Sequence, residues 1–314
     1  MNERARRLAD RCAERRDELR IAVHELANGA RVLDAGVDVP GGLGAGRMLA
    51  GLSMGGLGHV AFTSLTIGGE QWPGVHVWTD HPAVCCMASQ YAGWAISPEG
   101  YFAMGSGPLR AKARVEKDLF GKLDYREDAA CGVLVLEGRK LPTEDVVAWV
   151  AGKAGLAPGA LTFAVAPTAS LAGGVQIAAR VIETGLHKMG TIGFDVGQVV
   201  GAVGTAPFPP VAKSDVKAIG RTNDCVLYGG QARYTVDAED EELADLAARL
   251  PASHSADYGA PFSEIFERYG HDFYKIDPML FSPGEVWLTS VRSGRTFGAG
   301  RLDADVLRAS LYGS

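Results

Sequence analysis

The dipeptide Asn28-Gly29 stands between two short runs, Ile21–Leu26 and Arg31–Val37, that suit extended backbone. Asn followed by Gly tolerates the positive φ of a tight hairpin turn, so the two runs are expected to pair antiparallel. Ser293-Gly294 does the same between Val286–Val291 and Thr296–Ala299. Ahead of the first hairpin, Asn2 to about Leu19 spaces Ala5, Leu8, Cys12 and Leu19 as one face of an amphipathic helix. Between the hairpins strands alternate with helices. His59–Ile67 and Val75–Thr79 are rich in β-branched residues, and Pro82 opens a helical stretch to about Gly93. Gly132–Leu136 reads as a buried strand, Pro142–Leu156 as a helix, Leu161–Val165 as a strand and Ser170–Met189 as one long helix. A strand at Gln198–Val203, a helix at Asp215–Tyr228, a strand at Gln231–Val236 and helices at Glu241–Leu250 and Pro261–Tyr269 follow. Hairpins combined with this alternation predict an α/β fold of the α+β type: two lobes with mixed sheets and flanking helices. The break at Ala157-Pro158-Gly159 is expected to divide an N-terminal lobe, 1–157, from a C-terminal lobe, 158–314, with interleaving left open.

At 314 residues and 47% hydrophobic the chain has material for two such lobes. Nowhere do about 18 apolar residues run without a charge or a glycine cluster, and the first residues are rich in Arg and Glu, so a cytoplasmic protein without a membrane anchor is expected. The five cysteines are odd in number and lack CxxC spacing, which predicts reduced thiols. A net charge of -6 with dispersed Lys and Arg argues against a nucleic-acid partner and for a small molecule.

Several of the forty-one glycines cluster in apolar surroundings, at Gly41-Gly42-Leu43-Gly44-Ala45-Gly46, Met54-Gly55-Gly56, Gly105-Ser106-Gly107-Pro108 and Gly229-Gly230. Such loops let backbone N–H groups approach a ligand, and their joint number points to a lined cleft, although turn chemistry alone accounts for any one of them. None has the GxGxxG or GxxxxGK[ST] pattern of dinucleotide or P-loop sites. The seven histidines form no HxH or HExxH unit, and no metal site is expected. Ser106 has only part of the GxSxG nucleophile pattern, and Cys85-Cys86 read as packing residues. Asp80-His81 fits either proton transfer or a cap on the following helix. On the helix expected from Ser170, Gln176, Arg180, Glu183 and His187 step by four, three and four along one face. That spacing fits an exposed Arg–Glu pair worth about 0.2–0.5 kcal/mol as readily as a site.

Seven ordered blocks carry more information than any one of these. Thr79-Asp-His-Pro82, Tyr101-Phe-Ala-Met-Gly-Ser-Gly-Pro108, Ala166-Pro-Thr-Ala-Ser170, Gly204-Thr-Ala-Pro207, Gly220-Arg-Thr-Asn-Asp224, Leu227-Tyr-Gly-Gly230 and Phe273-Tyr-Lys-Ile-Asp-Pro278 resemble the signature blocks of the methenyltetrahydromethanopterin cyclohydrolases, over nearly the whole chain. The resemblance implies two α/β domains with an active-site cleft between them, a homotrimer, and interconversion of N5,N10-methenyl and N5-formyl tetrahydromethanopterin with no bound prosthetic group and no metal. The pterin is then substrate, in its phosphorylated or dephosphorylated form. It also implies that Arg180 and Glu183, from a QxxxRxxE pattern, lie beside the reacting carbon as the catalytic pair. Asp80, His81, Ser106, Gly107, Gln176, Thr205, Arg221, Asn223, Asp224 and Tyr228 are expected to contact substrate, because they stand at loop or element ends where ligand contacts concentrate. For Arg221 to Asp224 a helix-cap and ion-pair unit is the competing reading. A non-catalytic tetrahydromethanopterin-binding carrier protein is the alternative to an enzyme.

Overall fold

The computed structural model describes residues 1–313, the Tyr274 side chain excepted. In chain order its strands are β1 (Ala22–Glu25), β2 (Arg31–Asp34), β3 (Gly58–Ile67), β4 (Glu70–Thr79), β5 (Trp94–Ile96), β6 (Ala103–Ser106), β7 (Gly132–Glu137), β8 (Leu161–Ala166), β9 (Val199–Pro207), β10 (Gln231–Val236), β11 (Glu285–Ser290) and β12 (Thr296–Gly300). Its α-helices are α1 (Asn2–Glu14), α2 (Arg16–Leu19), α3 (Leu43–Ser53), α4 (Leu109–Ala113), α5 (Lys117–Lys122), α6 (Glu144–Ala154), α7 (Leu171–Ala178), α8 (Val181–Thr191), α9 (Asp215–Leu227), α10 (Asp240–Arg249), α11 (Phe262–Arg268) and α12 (Ala304–Tyr312). The helical stretch expected after Pro82 is a π-helical segment, Ala83–Gln90.

The chain divides into two units, one of residues 1–58 with 84–176 and the other of 59–83 with 177–314. This differs from a division at Ala157-Pro158-Gly159. That break is a short 3₁₀ turn leading into β8, and β8 pairs with β2 and β7 in the middle of the first unit's sheet.

In the first unit the strand order is β1-β2-β8-β7-β6-β5, mixed as expected, with β2, β8 and β7 parallel and the outer pairings antiparallel. The Asn28-Gly29 hairpin is present, Gly29 sitting at φ +84°. Side chains alternate across a strand, so Val133 and Val135 join Leu49, Leu52, Ala5 and Ala9 of α3 and α1 on one side. Leu134 and Leu136 join Val146, Val147 and Val150 of α6 on the other. Burial on both faces is why Gly132–Leu136 is an unbroken apolar run, each such side chain contributing about 1.5–3 kcal/mol. Close helix packing accounts for part of the first glycine cluster. A Cβ on Gly46 of α3 would lie 2.6 Å from Val175 Cβ and 2.9 Å from Ala172 O of α7, so this glycine serves contact between helices and does not line a ligand site.

The second unit has a six-stranded sheet ordered β12-β11-β10-β9-β4-β3. β10 and β11 run parallel, while β9 pairs antiparallel with β10 and β4, and β11 with β12. β3 and β4 meet at Gly68-Gly69, both at positive φ, and β11 and β12 at the expected Ser293-Gly294 turn. Beside the sheet, α9, α11 and α12 gather Trp72, Tyr228, Phe262, Ile265, Leu307 and Leu311 into one apolar cluster.

Candidate active site

The segment Leu171–Thr191 is not the single helix its periodicity suggests. α7 ends at Ala178, Arg180 sits at φ -84°, ψ 3° as the residue before α8, and its N–H bonds back to Ile177 O. The new helix starts immediately, with Thr184 N and Thr184 Oγ1 both donating to Arg180 O. Glu183 therefore falls in the first turn of α8, where unpaired amides and the helix dipole favour a carboxylate. Arg180 Nη1 lies 4.0 Å from Glu183 Oε2. The two residues are only 8% and 6% exposed, which overturns the reading as a solvated surface pair. Buried charges persist when each has the other close by, and removing one partner is far more costly than at a surface.

Three contacts fix α8 against the rest of the second unit. Val181 and Ile182 close on Gly204 of β9, where a Cβ would come within 2.9 Å of Val181. Tyr234 of β10 donates its hydroxyl to Ile182 O at 2.9 Å. Lys188 is fully buried, donates to Pro251 O at 2.8 Å and to Met279 O, and burial pushes its ammonium down to about 8. One turn from Glu183, burial also lowers the pKa of His187.

Gln176 is buried near the end of α7, and its Nε2 donates to Glu137 Oε2 at 3.1 Å. The Thr168 hydroxyl donates to the other oxygen of Glu137, at the end of β7. Ser106 is buried at the end of β6, and Gly107, at φ +109°, donates its N–H to Ser89 O at 2.7 Å. Asp80 and His81 are exposed, and the group that caps their turn is the Thr79 hydroxyl, accepting from His81 N at 3.1 Å, rather than Asp80.

The remaining expected residues lie on β9 and along α9 to its end. Gly204 points at α8, so the pleat directs Thr205 to the opposite face of the second sheet, between His76 and Gln231. Asp224 and Tyr228 are fully buried and satisfied inside the α9–α11–α12 cluster. Asp224 accepts from Phe262 N at 2.9 Å and from Ser310 Oγ, while Tyr228 donates to Ala260 O at 2.6 Å and accepts from Gly259 N at 3.1 Å. A substrate cannot reach either, so the expectation of ligand contact there is corrected to one of holding the helical layer together. Burial raises Asp224 to about 7. Asn223 bonds to Ile219 O within its own helix, and Arg221 reaches Pro210 O.

Glu137 and Thr168 were absent from the sequence-based site. A carboxylate closing an otherwise apolar strand is the signal that marks Glu137. Among the described residues no three His, Cys, Asp or Glu side chains converge, and no disulfide links the five cysteines.

The family profile described as Cyclohydrolase (MCH) matches residues 1–311. A relative from Methylobacillus flagellatus, named methenyltetrahydromethanopterin cyclohydrolase, is 48% identical over 293 residues, 93% of this chain and 89% of its own. One of the same name from Methylobacterium organophilum is 47% identical over 309 residues, 96% of this chain and 94% of its own. A third so named, from Methanococcoides burtonii, is 40% identical over 311 residues, 99% of this chain and 97% of its own.

Proposed function

The chain belongs to this cyclohydrolase family, and from that membership we infer that it hydrolyses N5,N10-methenyltetrahydromethanopterin, or its dephospho form, to the N5-formyl pterin. The observation that carries the inference to residues is the buried Arg180–Glu183 pair at the start of α8, in a chain matched to the family over 1–311.

The methenyl carbon sits between N5 and N10 in a delocalised cation and is already electrophilic. A water oxygen adds to it, and Glu183 accepts the proton that the water gives up. Arg180 fixes the carboxylate and, through its guanidinium, polarises the oxygen that becomes the formyl group. The carbinolamine then collapses: N10 takes a proton, the C–N10 bond breaks, and the hydroxyl gives up its own proton as the C=O of the N5-formyl group forms. Methenyl cation and water give formyl pterin and one net proton.

Ser106, Gly107 and Gln176 support substrate binding in this reading, being at element ends in the first unit, with Asp80 and His81 exposed at the end of β4. The protein acts in the cytoplasm as a homotrimer with no bound prosthetic group, for which the family resemblance is the support. No helix among the described residues is long and apolar enough to cross a membrane.

The deciding experiment mixes the purified protein with methenyl pterin and follows loss of the amidinium chromophore. Catalysed loss to N5-formyl product is the expected result. Tight binding without turnover would instead favour a carrier, and sedimentation of the same sample reports the assembly.

A further inference from the structure

We propose that Tyr234 and Lys188 are positioning residues for the hydrolysis, clamping α8 at two points so that its first turn holds the Glu183 carboxylate in one place. The inference rests on the functional reading given above, and every residue in the clamp lies in the second unit. A helix that carries a base must be fixed in tilt, in rotation and along its axis, because a displacement of about 1 Å at the reacting group costs about 10²-fold in rate. The start of α8 does not supply that by itself. Arg180, which opens the helix, makes no side-chain cap, and α7 has already ended at Ala178.

The sheet supplies the first point. Val181 is seated between two glycines, since a Cβ on Gly204 would lie 2.9 Å from its side chain and one on Gly230 would lie 3.1 Å from it. Both glycines belong to the ordered blocks of the sequence, Gly204-Thr-Ala-Pro207 and Leu227-Tyr-Gly-Gly230. With the helix so close, the Tyr234 hydroxyl crosses Gly185, where a Cβ would stand 2.1 Å from it, and donates to Ile182 O at 2.9 Å. The helical ladder uses one lone pair of that carbonyl, and the tyrosine takes the other. The peptide it holds is the one that joins Ile182 to Glu183. Tyr234 is fully buried on β10, which has β9 and β11 on either side, so its ring is fixed before it touches the helix.

At about 1.5 Å per residue, the second point stands roughly 9 Å further along α8. There the buried ammonium of Lys188 donates to Pro251 O at 2.8 Å and to Met279 O. Asp277 sets the Met279 end of this socket. It accepts from Met279 N at 3.0 Å and from Ser255 Oγ at 2.6 Å, capping the short turn Pro278–Leu280, and its own N–H donates to Asp257 Oδ2 at 3.1 Å. The block Phe273-Tyr-Lys-Ile-Asp-Pro278 thereby acquires a role, as the wall that receives the lysine. Burying an ammonium is costly, and an apolar side chain of similar length would avoid that cost, so what Lys188 gives α8 is a defined position rather than net stability. One bond leaves a helix free to pivot, and a second removes that freedom.

The test uses the full-length protein turning over methenyl pterin. Tyr234→Phe removes one oxygen and keeps the ring. Its kcat is expected to fall about 5- to 50-fold with KM within about threefold, because Glu183 moves while no substrate contact is lost. Lys188→Met keeps the length of the side chain and is expected to show the same split. Tyr228→Phe is the control for stability alone: that hydroxyl is equally buried, and its partners, Ala260 O and Gly259 N, lie outside α8. It loses two bonds where Tyr234→Phe loses one, so its melting temperature is expected to fall at least as far while kcat stays within about twofold. A folded Tyr234→Phe or Lys188→Met with kcat within about twofold of the wild type overturns the proposal. So does a fall in kcat that Tyr228→Phe reproduces. Failure of both α8 variants to fold overturns it too, since the two bonds would then hold the unit together rather than place Glu183. Absence of turnover in the wild type would instead strike the functional reading itself.

Discussion

Glu183→Gln exchanges one oxygen for an NH₂ group and leaves side-chain shape alone. On the proposed mechanism pterin binding stays within a few-fold and turnover falls about 10²- to 10⁴-fold, the weight of one proton-transfer role. Single-turnover absorbance measurements separate the two, and near-normal turnover would move the base elsewhere. Arg180→Ala is expected to harm both KM and kcat, because it also leaves Glu183 buried without its 4.0 Å partner. Asp224 makes a different prediction. Its folded pKa is raised from 3.8 to about 7, so its contribution to stability is complete below about pH 4 and is lost as pH rises through about 7. Asp224→Asn keeps the acceptor for Phe262 N, and denaturant midpoints for the variant should gain on the wild type steadily across that window. A constant offset would show that Asp224 is ionised throughout. The +3 spacing of Arg180 and Glu183 was legible in the sequence, but their burial was not, since the same spacing suits a solvated pair. Asp224 and Tyr228 have the family's neighbours in sequence, but their side chains are spent inside the helical layer.

Elements were legible where a turn demanded a particular residue. Asn28-Gly29 and Ser293-Gly294 give hairpins because few other residues accept their backbone, with Gly29 and Gly294 at φ +84° and +74°. The Ala179-Arg180 interruption between α7 and α8 has no Pro or Gly to announce it, and Trp94–Ile96 and Ala103–Ser106 are too short to show a period. At Gly46 of α3 close packing makes a measurable demand. Gly46→Ala would put a Cβ 2.6 Å from Val175 Cβ and against a backbone oxygen, so a loss of about 1–3 kcal/mol is expected by chemical denaturation despite alanine's better helix propensity. A gain would mean that α3 and α7 separate easily.

At the scale of the whole molecule, the two mixed sheets follow from hairpins plus alternation, whereas the assignment of segments to units does not. A fragment of residues 1–157 retains β2 and β7 but lacks β8, which lies between them in the sheet. It is expected to show no cooperative thermal transition, while a native-like melt would show that β2 and β7 can pair otherwise. The segment 59–83 belongs with strands encoded much later, and this has a consequence in time. β4 ends at Thr79 and its partner β9 begins at Val199, so 199 − 79 = 120 positions separate them. At about 5–20 residues per second, the β3–β4 hairpin leaves the ribosome roughly 6–24 s before the strand that completes it. For that interval a nascent chain carries an open strand edge with Trp78 and Phe62 beside it, and crowded polysomes are where this fold is most exposed to mispairing.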